Sequence, residues 1–518
     1  MTGLRFPACA LLLAAAAQAD ASREVLEKAG PSVVAVRNSE AVGSGMILDE
    51  KGLVLTCAHV VVSPLPYQVD VEVPARGRLR TVSFRRVSLL GVHPTQDLAL
   101  LGIDPAEHGV RLTSLPIARE RPARRDPVYA IGFPISRGGR QKAVTAGEVT
   151  GVDRFVDLPG YFEFSAEIHP GNSGGPLCTP RGEAAGIATW GLFQGEPTGW
   201  AVPLHDLRPD QFIPLSRRAK DPSRVAQYLR FAEQSLKKAQ EGKPAAAALA
   251  EFFFRMALSE DIGNADIYAK IGMIKRNKGQ FGVAAAYLVK SLQLQPWCDA
   301  GGLAYHELGV SLLKAKSPAA ALAAWNEGAA KYPSEGSLLW DALAVFHYDA
   351  GRYEEAALAS RASIRAHAAR GEVMNKIYQG ARERLDVEGL ARLREREAGL
   401  PLELERRRDE AERARRDGKA FLTPEGERLV RDYEGIQKEA PGFSTETPEK
   451  EAEPSPEPPR SPAEITARFI QARVTAAREL ARGGQKETAI GILESILREY
   501  PGHPGSEEAR LLLADLRK

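Results

Sequence analysis

The feature that most constrains this chain is a change of pattern at Pro222. Before it, from Val33 to Val202, short β-rich runs are broken by Gly, Pro and Asp: Val33–Val36, Met46–Leu48, Leu53–Thr56, Val69–Val73, Leu98–Leu101, Val128–Phe133 and Ala184–Thr189. Many short strands at close spacing predict a barrel or sandwich. Asp49-Glu50-Lys51-Gly52 reads as a four-residue hairpin loop closed by its Gly. After Pro222, Ala, Leu, Lys and Glu dominate and apolar residues recur at helical spacing, so an all-α region follows an all-β one. At 518 residues, about 150 per domain suggests three domains.

The helical half repeats itself. Gly272, Ala284 and Pro296 return 37 residues later as Gly309, Ala321 and Pro333. A third unit carries Trp340, Leu343, Gly351 and Ala356, and a degenerate first unit spans Val225–Leu258. These positions resemble the tetratricopeptide repeat, in which small residues let antiparallel helices pack closely. The expected repeat domain is 222–385, and it is expected to fold independently because each repeat needs only its neighbours. Residues 386–462 are expected to be a charged helical spacer running into a disordered Pro/Glu-rich linker, Pro441 to Pro462. Residues 463–518, with Gly484, Ala489 and Pro501, fit one more helical hairpin.

The N-terminus carries Arg5, an apolar run from Ala8 to Ala17 and small-x-small sites up to Ala21, which predicts a signal peptide over 1–21 and export to the periplasm or cell envelope, or secretion. No later apolar run approaches membrane length. Removal of that segment leaves Cys57, Cys178 and Cys298, an odd number that does not make a disulfide framework. Lys plus Arg total 69 against 67 acidic residues, so no basic field recommends a nucleic-acid partner.

Three segments of the β-rich half carry chemistry together: Leu55-Thr56-Cys57-Ala58-His59-Val60, Asp97-Leu98-Ala99-Leu100-Leu101 and Gly171-Asn172-Ser173-Gly174-Gly175-Pro176-Leu177. A serine hydroxyl is a poor nucleophile until an imidazole takes its proton, and the imidazole needs a carboxylate to orient it. The order His, Asp, Ser and these flanks resemble the chymotrypsin-fold serine peptidases, and within them the HtrA/Deg-like branch. Gly43-Ser44-Gly45, Ala130-Ile131-Gly132-Phe133-Pro134 and Gly199-Trp200-Ala201-Val202-Pro203 extend the resemblance, which covers Ser22 to Leu207.

That resemblance implies a trypsin-like domain over 22–215 built of two six-stranded antiparallel barrels, the first carrying His59 and Asp97 and the second Ser173. It implies Ser173 as nucleophile, His59 as general base and then acid, Asp97 as orienting carboxylate, and the amides of Gly171 and Ser173 as oxyanion hole. For the specificity pocket two registers compete. In one, Glu167 points in and selects Lys or Arg; in the favoured one, Ile168 lines a pocket walled by Ile187 and Thr189 that prefers small aliphatic residues. Trp190 and Trp200 read as barrel packing, and His93 and His169 as loop residues. No histidine spacing suggests a metal, and no cofactor is expected.

The chain departs from the branch pattern where a peptide-binding PDZ domain would follow; helical repeats stand there instead. Two functions compete: an exported serine endopeptidase of protein substrates, with repeats that recruit substrate or a protein partner, and a repeat scaffold carrying a latent or inactive peptidase fold. Cys57 and Cys178 fall close to the implied site, and buried free thiols are favoured over a bridge.

Overall fold

A computed structural model describes residues 6–75, 78–135, 139, 141–152, 161–192, 198–242, 245–298, 301–439, 474, 478, 490, 493–494, 497 and 506–517. Thirteen strands precede the main run of helices: β1 Val33–Arg37, β2 Val42–Ile47, β3 Leu53–Thr56, β4 Gln68–Ala75, β5 Arg78–Phe84, β6 Ser88–Val92, β7 Ala99–Gly102, β8 Pro127–Gly132, β9 Ala143–Val152, β10 Phe162–Phe164, β11 Pro176–Cys178, β12 Ala184–Leu192 and β13 Thr198–Pro203. The second half of this set closes as a six-stranded antiparallel barrel in the order β10-β13-β12-β11-β8-β9. Its inward positions alternate along each strand and gather Val128, Ala130, Phe162, Phe164, Leu177, Ala188 and Ala201.

The first half differs from the expected closed barrel. It is a seven-stranded sheet in the order β5-β4-β1-β2-β3-β7-β6, whose outer strands do not pair with each other. The edge of β6 is instead satisfied from beyond the second barrel, where Val92 and Ile213 exchange both backbone hydrogen bonds at 2.8 and 2.9 Å. The Asp49–Gly52 hairpin forms as read, with the Leu48 N–H donating to Leu53 O at 2.8 Å.

Pro222 marks a physical boundary. It is the first residue of a helix, where a missing N–H costs nothing, and the Asp221 carboxylate accepts the N–H groups of Ser223 and Arg224. Helices then pair in sequence: α2 Pro222–Gln240 with α3 Ala245–Glu260, α4 Ala265–Asn277 with α5 Phe281–Leu294, α6 Leu303–Lys314 with α7 Pro318–Lys331, and α8 Ser337–Asp349 with α9 Tyr353–Ala366, followed by α10 Gly371–Arg382. (The N-terminal helix Phe6–Ala29 is α1.) The repeated small residues sit where helices cross: a Cβ on Gly309 would lie 2.1 Å from Nε1 of Trp325, and Ala284, Ala321 and Ala356 are fully buried.

Two expectations change. First, the opening helices α2–α4 do not keep a separate core: Tyr228, Phe253, Phe254 and Ile271 belong to one continuous apolar cluster with Cys57, Leu98, Ile187, Trp200 and Leu204. Second, the charged segment is docked. Its helices α11 Val387–Arg416 and α12 Pro424–Glu439 pack on α9 and α7. The buried Glu327 carboxylate accepts the N–H groups of Leu422 and Thr423 at 2.8 and 2.7 Å, capping the entry to α12. The helix α1 spans Phe6–Ala29, and its C-terminal part, with Val25 and Ala29 buried, lies on β8 and β9. Among the described residues no helix is long and apolar enough to cross a membrane.

The linker reading for 441–462 lies outside the described residues. Residues 444–518 form a second unit; in it the helix Ser506–Leu516 presents Ala509 and Leu513 to Val474 and Leu493.

Charge holds the opening helices to the β half. Glu40, between β1 and β2, has no exposed side-chain surface and lies 2.9 Å from both Arg255 on α3 and Lys275 on α4. Tyr287 donates to the same carboxylate at 2.7 Å, and Ser63 donates to it as well. Burial alone would raise the Glu40 pKa, but Arg255 and Lys275 outweigh it and hold it below the usual carboxylate value of 4.5. Burial likewise opposes ionisation of Glu251, and Arg255, Lys275 and Lys278 overcome it, so its pKa is far below 4.5. Groups with depressed folded pKa values contribute stability that is present above the unfolded value and lost as pH falls through the folded one. Thermal melts followed by circular dichroism should therefore hold near neutrality and fall as pH drops below about 4.5; Glu40→Ala should destabilise by about 3–5 kcal/mol at pH 7, and removing one partner with no loss would refute the clamp.

Candidate active site

The β half places two segments of its first sheet against the turn between β10 and β11. His59 lies in a short 3-10 turn, Ala58–Val60, directly after β3, and Asp97 lies two residues before β7, the strand paired with β3. Antiparallel pairing of β3 with β7 thus makes neighbours of residues 38 apart. Asp97 Oδ1 accepts the backbone N–H of His59 at 2.9 Å while Oδ2 is 2.6 Å from Nδ1 of the ring. Both side chains are almost wholly buried. The carboxylate thus fixes the imidazole from two directions, backbone and ring, and leaves Nε2 as the nitrogen not engaged by Asp97. His93, read as a loop residue, braces the Asp97 loop: its Nδ1 accepts the N–H groups of Thr95 and Gln96 at 3.3 and 3.1 Å.

Ser173 sits in the turn Gly171–Gly175. Gly171 has φ +102°, and a Cβ there would lie 2.3 Å from the carbonyl oxygen of Phe133, so both the dihedral and the space require glycine. The amides of Asn172, Gly174 and Gly175 donate to His169, Ala188 and Asn172 carbonyls, whereas those of Gly171 and Ser173 are not among the donors of the turn. The Ser173 hydroxyl donates to the carbonyl of Thr189 at 2.7 Å, so in this structure it faces strand β12.

Ser44, in the Gly43-Ser44-Gly45 run, ties the two β halves at this turn. Its N–H donates to Ser173 O at 2.7 Å, its hydroxyl donates to Gly171 O at 2.7 Å, and the same oxygen accepts the N–H of Phe133 at 2.9 Å. The close glycines around a serine were the available signal.

The specificity residues are brought together only in part. Ile168 packs in the barrel cluster with Ala188 and Ala201, whereas Ile187 belongs to the other cluster with Val202 and Trp200. Successive side chains of a strand point to opposite faces, which puts Ala188 in the cluster of Ile168 and Ile187 on the other side of β12. The buried Thr189 hydroxyl donates to Trp200 O at 2.9 Å. Glu167 is exposed and 3.1 Å from His169 Nε2, which leaves Ile168 as the side chain turned inward. Trp190 and Trp200 stack at 4.4 Å with 26° between planes, but they are more than barrel packing, since Phe252 and Phe253 of α3 reach Trp190 at 5.8 Å each.

Among the described residues the group of side chains whose donor atoms could converge on a metal is Cys57, His59 and Asp97, all within 4.8 Å. The ring and carboxylate there already engage each other. Burial first, and then the Asp97 charge, push the Cys57 thiol well above its ordinary pKa, which works against the thiolate a metal needs. Burial also pushes Cys178 up to about 12.

A closed six-stranded barrel beside a second β-sheet, with helices after them, fits a chymotrypsin-like domain. Residues 43–187 match the trypsin-like peptidase domain family. The chain is 30% identical over 199 residues to a protein named "Probable periplasmic serine endoprotease DegP-like" from Pseudomonas fluorescens, covering 37% of each chain. It is 34% identical over 217 residues to serine protease HTRA1B of Danio rerio, covering 38% of this chain and 42% of that one. Among solved structures, the serine endoprotease from Yersinia pestis aligns at 31% identity over 35% of this chain and 62% of that one, with a TM-score of 0.29. The chain spans roughly two fifths of the length of these curated relatives. The β half is thus similar to HtrA/Deg-like serine peptidase domains and is followed by an all-α region.

Both buried thiols should resist alkylation in the native protein. Mass mapping after native iodoacetamide treatment should find Cys57 and Cys178 unmodified, each reacting only after denaturation; rapid native labelling of either, or a linked Cys57–Cys178 peptide pair, would contradict the burial and pairing described.

Proposed function

We propose that this protein is a serine endopeptidase acting on protein substrates through Ser173, His59 and Asp97. The observation that carries the reading is the doubly bonded, buried Asp97–His59 pair beside a glycine-constrained Ser173 turn. Ser173 Oγ, turned about χ1 from Thr189 toward the imidazole, attacks the scissile carbonyl carbon while Nε2 of His59 takes its proton. Asp97 holds the resulting imidazolium. The amides of Gly171 and Ser173 donate hydrogen bonds to the developing oxyanion. Collapse breaks the C–N bond, His59 returns the proton to the leaving amine, and water activated by the same ring hydrolyses the acyl-enzyme. Ile168 with Ala188 supports an aliphatic primary pocket, favouring small apolar residues before the cleaved bond. We place export of the chain, and recruitment of a protein partner by tetratricopeptide-like repeats over 222–385, in the same reading.

A fluorophosphonate probe should label the full-length protein at Ser173 and leave Ser173→Ala unlabelled. Asp97→Asn should keep the fold and lower casein turnover by about 10⁴-fold, since the wrong tautomer would face Ser173. Equal labelling of Ser173→Ala, or equal turnover, would refute the assignment.

A further inference from the structure

The helices that follow a peptidase domain would be expected to stand clear of its cleft if their task were recruitment alone. Here the second of them lies on it. Phe252, midway along α3, sets its ring 5.0 Å from the His59 imidazole at 77° between planes, and the same ring is 5.8 Å from Trp190. Phe253 approaches Trp190 at 5.8 Å from the next position and is backed by Phe231 of α2 at 5.1 Å. Edge-to-face aromatic contacts of this spacing are favourable beyond the area they bury.

The position of this contact matters more than its strength. Ser173 Oγ rests on the carbonyl of Thr189, the residue before Trp190 on β12. A peptide whose carbonyl carbon comes within reach of Ser173 must therefore pass between His59 and the outer part of β12. Phe252 stands between the two, its ring 5.0 Å from that of His59 and 5.8 Å from that of Trp190.

Two charge clamps hold the helix there, each anchored beside the site. Arg255, one helical turn after Phe252, reaches Glu40 at 2.9 Å. At the last residue of the helix, Arg218 and Arg224 reach Glu260 at 3.0 and 3.1 Å while donating to the carbonyls of Gln96 and Thr95, the two residues before Asp97. Such pairs in low dielectric are costly to break, so α3 is held and does not merely lean.

We propose that the helix pair α2–α3 is an intramolecular plug: Phe252 and Phe253 occupy the substrate passage between His59 and Trp190, keep the full-length peptidase latent, and must be displaced before a polypeptide can reach Ser173. The plug rests on the proposed Ser173 peptidase only for its consequence in turnover, not for its geometry.

The test uses the full-length chain as wild type, Phe252→Ala and Glu40→Gln. Phe252 is half-buried, so its truncation leaves the helical core in place, and Glu40→Gln loosens the clamp from the peptidase side while keeping shape. Casein turnover is measured together with hydrogen–deuterium exchange of peptides covering 57–62 and 184–190, with circular dichroism as the folding control. Both variants should exchange faster in these two segments and turn over casein at least 10-fold faster than wild type. Should Glu40→Gln fail to fold, Phe252→Ala decides. Unchanged exchange, or unchanged or lower turnover in a wild type that is active, overturns the plug. Faster exchange with no turnover in any of the three proteins upholds the plug and refutes the Ser173 reading instead.

Discussion

The site exists because Ser44 joins two β halves that otherwise share no strand pairing. Its main-chain N–H and its hydroxyl hold the carbonyls of Ser173 and Gly171, so the first sheet, which positions His59 and Asp97, and the closed barrel, which carries Ser173, meet at a set of short bonds rather than at an apolar surface alone. Thr56, three residues before His59, donates to the Ser44 carbonyl at 2.7 Å and extends the same network toward the imidazole. Buried polar groups are tolerable when every partner is supplied, and a fully satisfied network specifies one arrangement. Glycine at 171 and 174 lets the turn approach closely enough for this network to close.

The helical half obeys the same economy of buried polar groups at a larger scale. Glu40 takes Arg255, Lys275, Tyr287 and Ser63 in one dry pocket, and Glu327 caps the entry to α12. Such carboxylates are destabilising unless every lone pair is used, so the docked arrangements of α3 and α12 are each close to all-or-none. A segment as charged as 387–439 would remain solvated if its surface were uniform; the buried Glu327 carboxylate holds the entry to α12, and Glu354 of α9 takes Arg392 and Arg396 of α11 at 3.2 and 2.7 Å.

Local pattern was legible in the residues. Short β-rich runs broken by Gly, Pro and Asp gave the strands from Val33 to Val202, the change of composition after Pro222 marked the start of the helices, and the spacing of Gly272, Ala284, Gly309 and Ala321 gave the helix pairs, because composition and side-chain period are properties of near neighbours. The nearness of His59 to Asp97 was legible only through the resemblance, since nothing in 38 intervening residues encodes which strand pairs with which. Within β12, Ala188 shares an apolar cluster with Ile168 while Ile187 belongs to another, because neighbouring residues of a strand face opposite sides and local sequence does not fix which side meets the barrel interior.

The sequence by itself determined the two structural classes, their boundary at Pro222 and the chemical types gathered in the β half, because periodicity, capping and residue identity act over a few positions. Only the tertiary structure decided that the first sheet stays open, with Ile213 on its edge, and that Phe252 stands beside His59. Those outcomes depend on contacts between residues more than a hundred positions apart, whose geometry is set by packing of whole layers and by the need to pair each buried charge, and no short stretch of the chain carries that information.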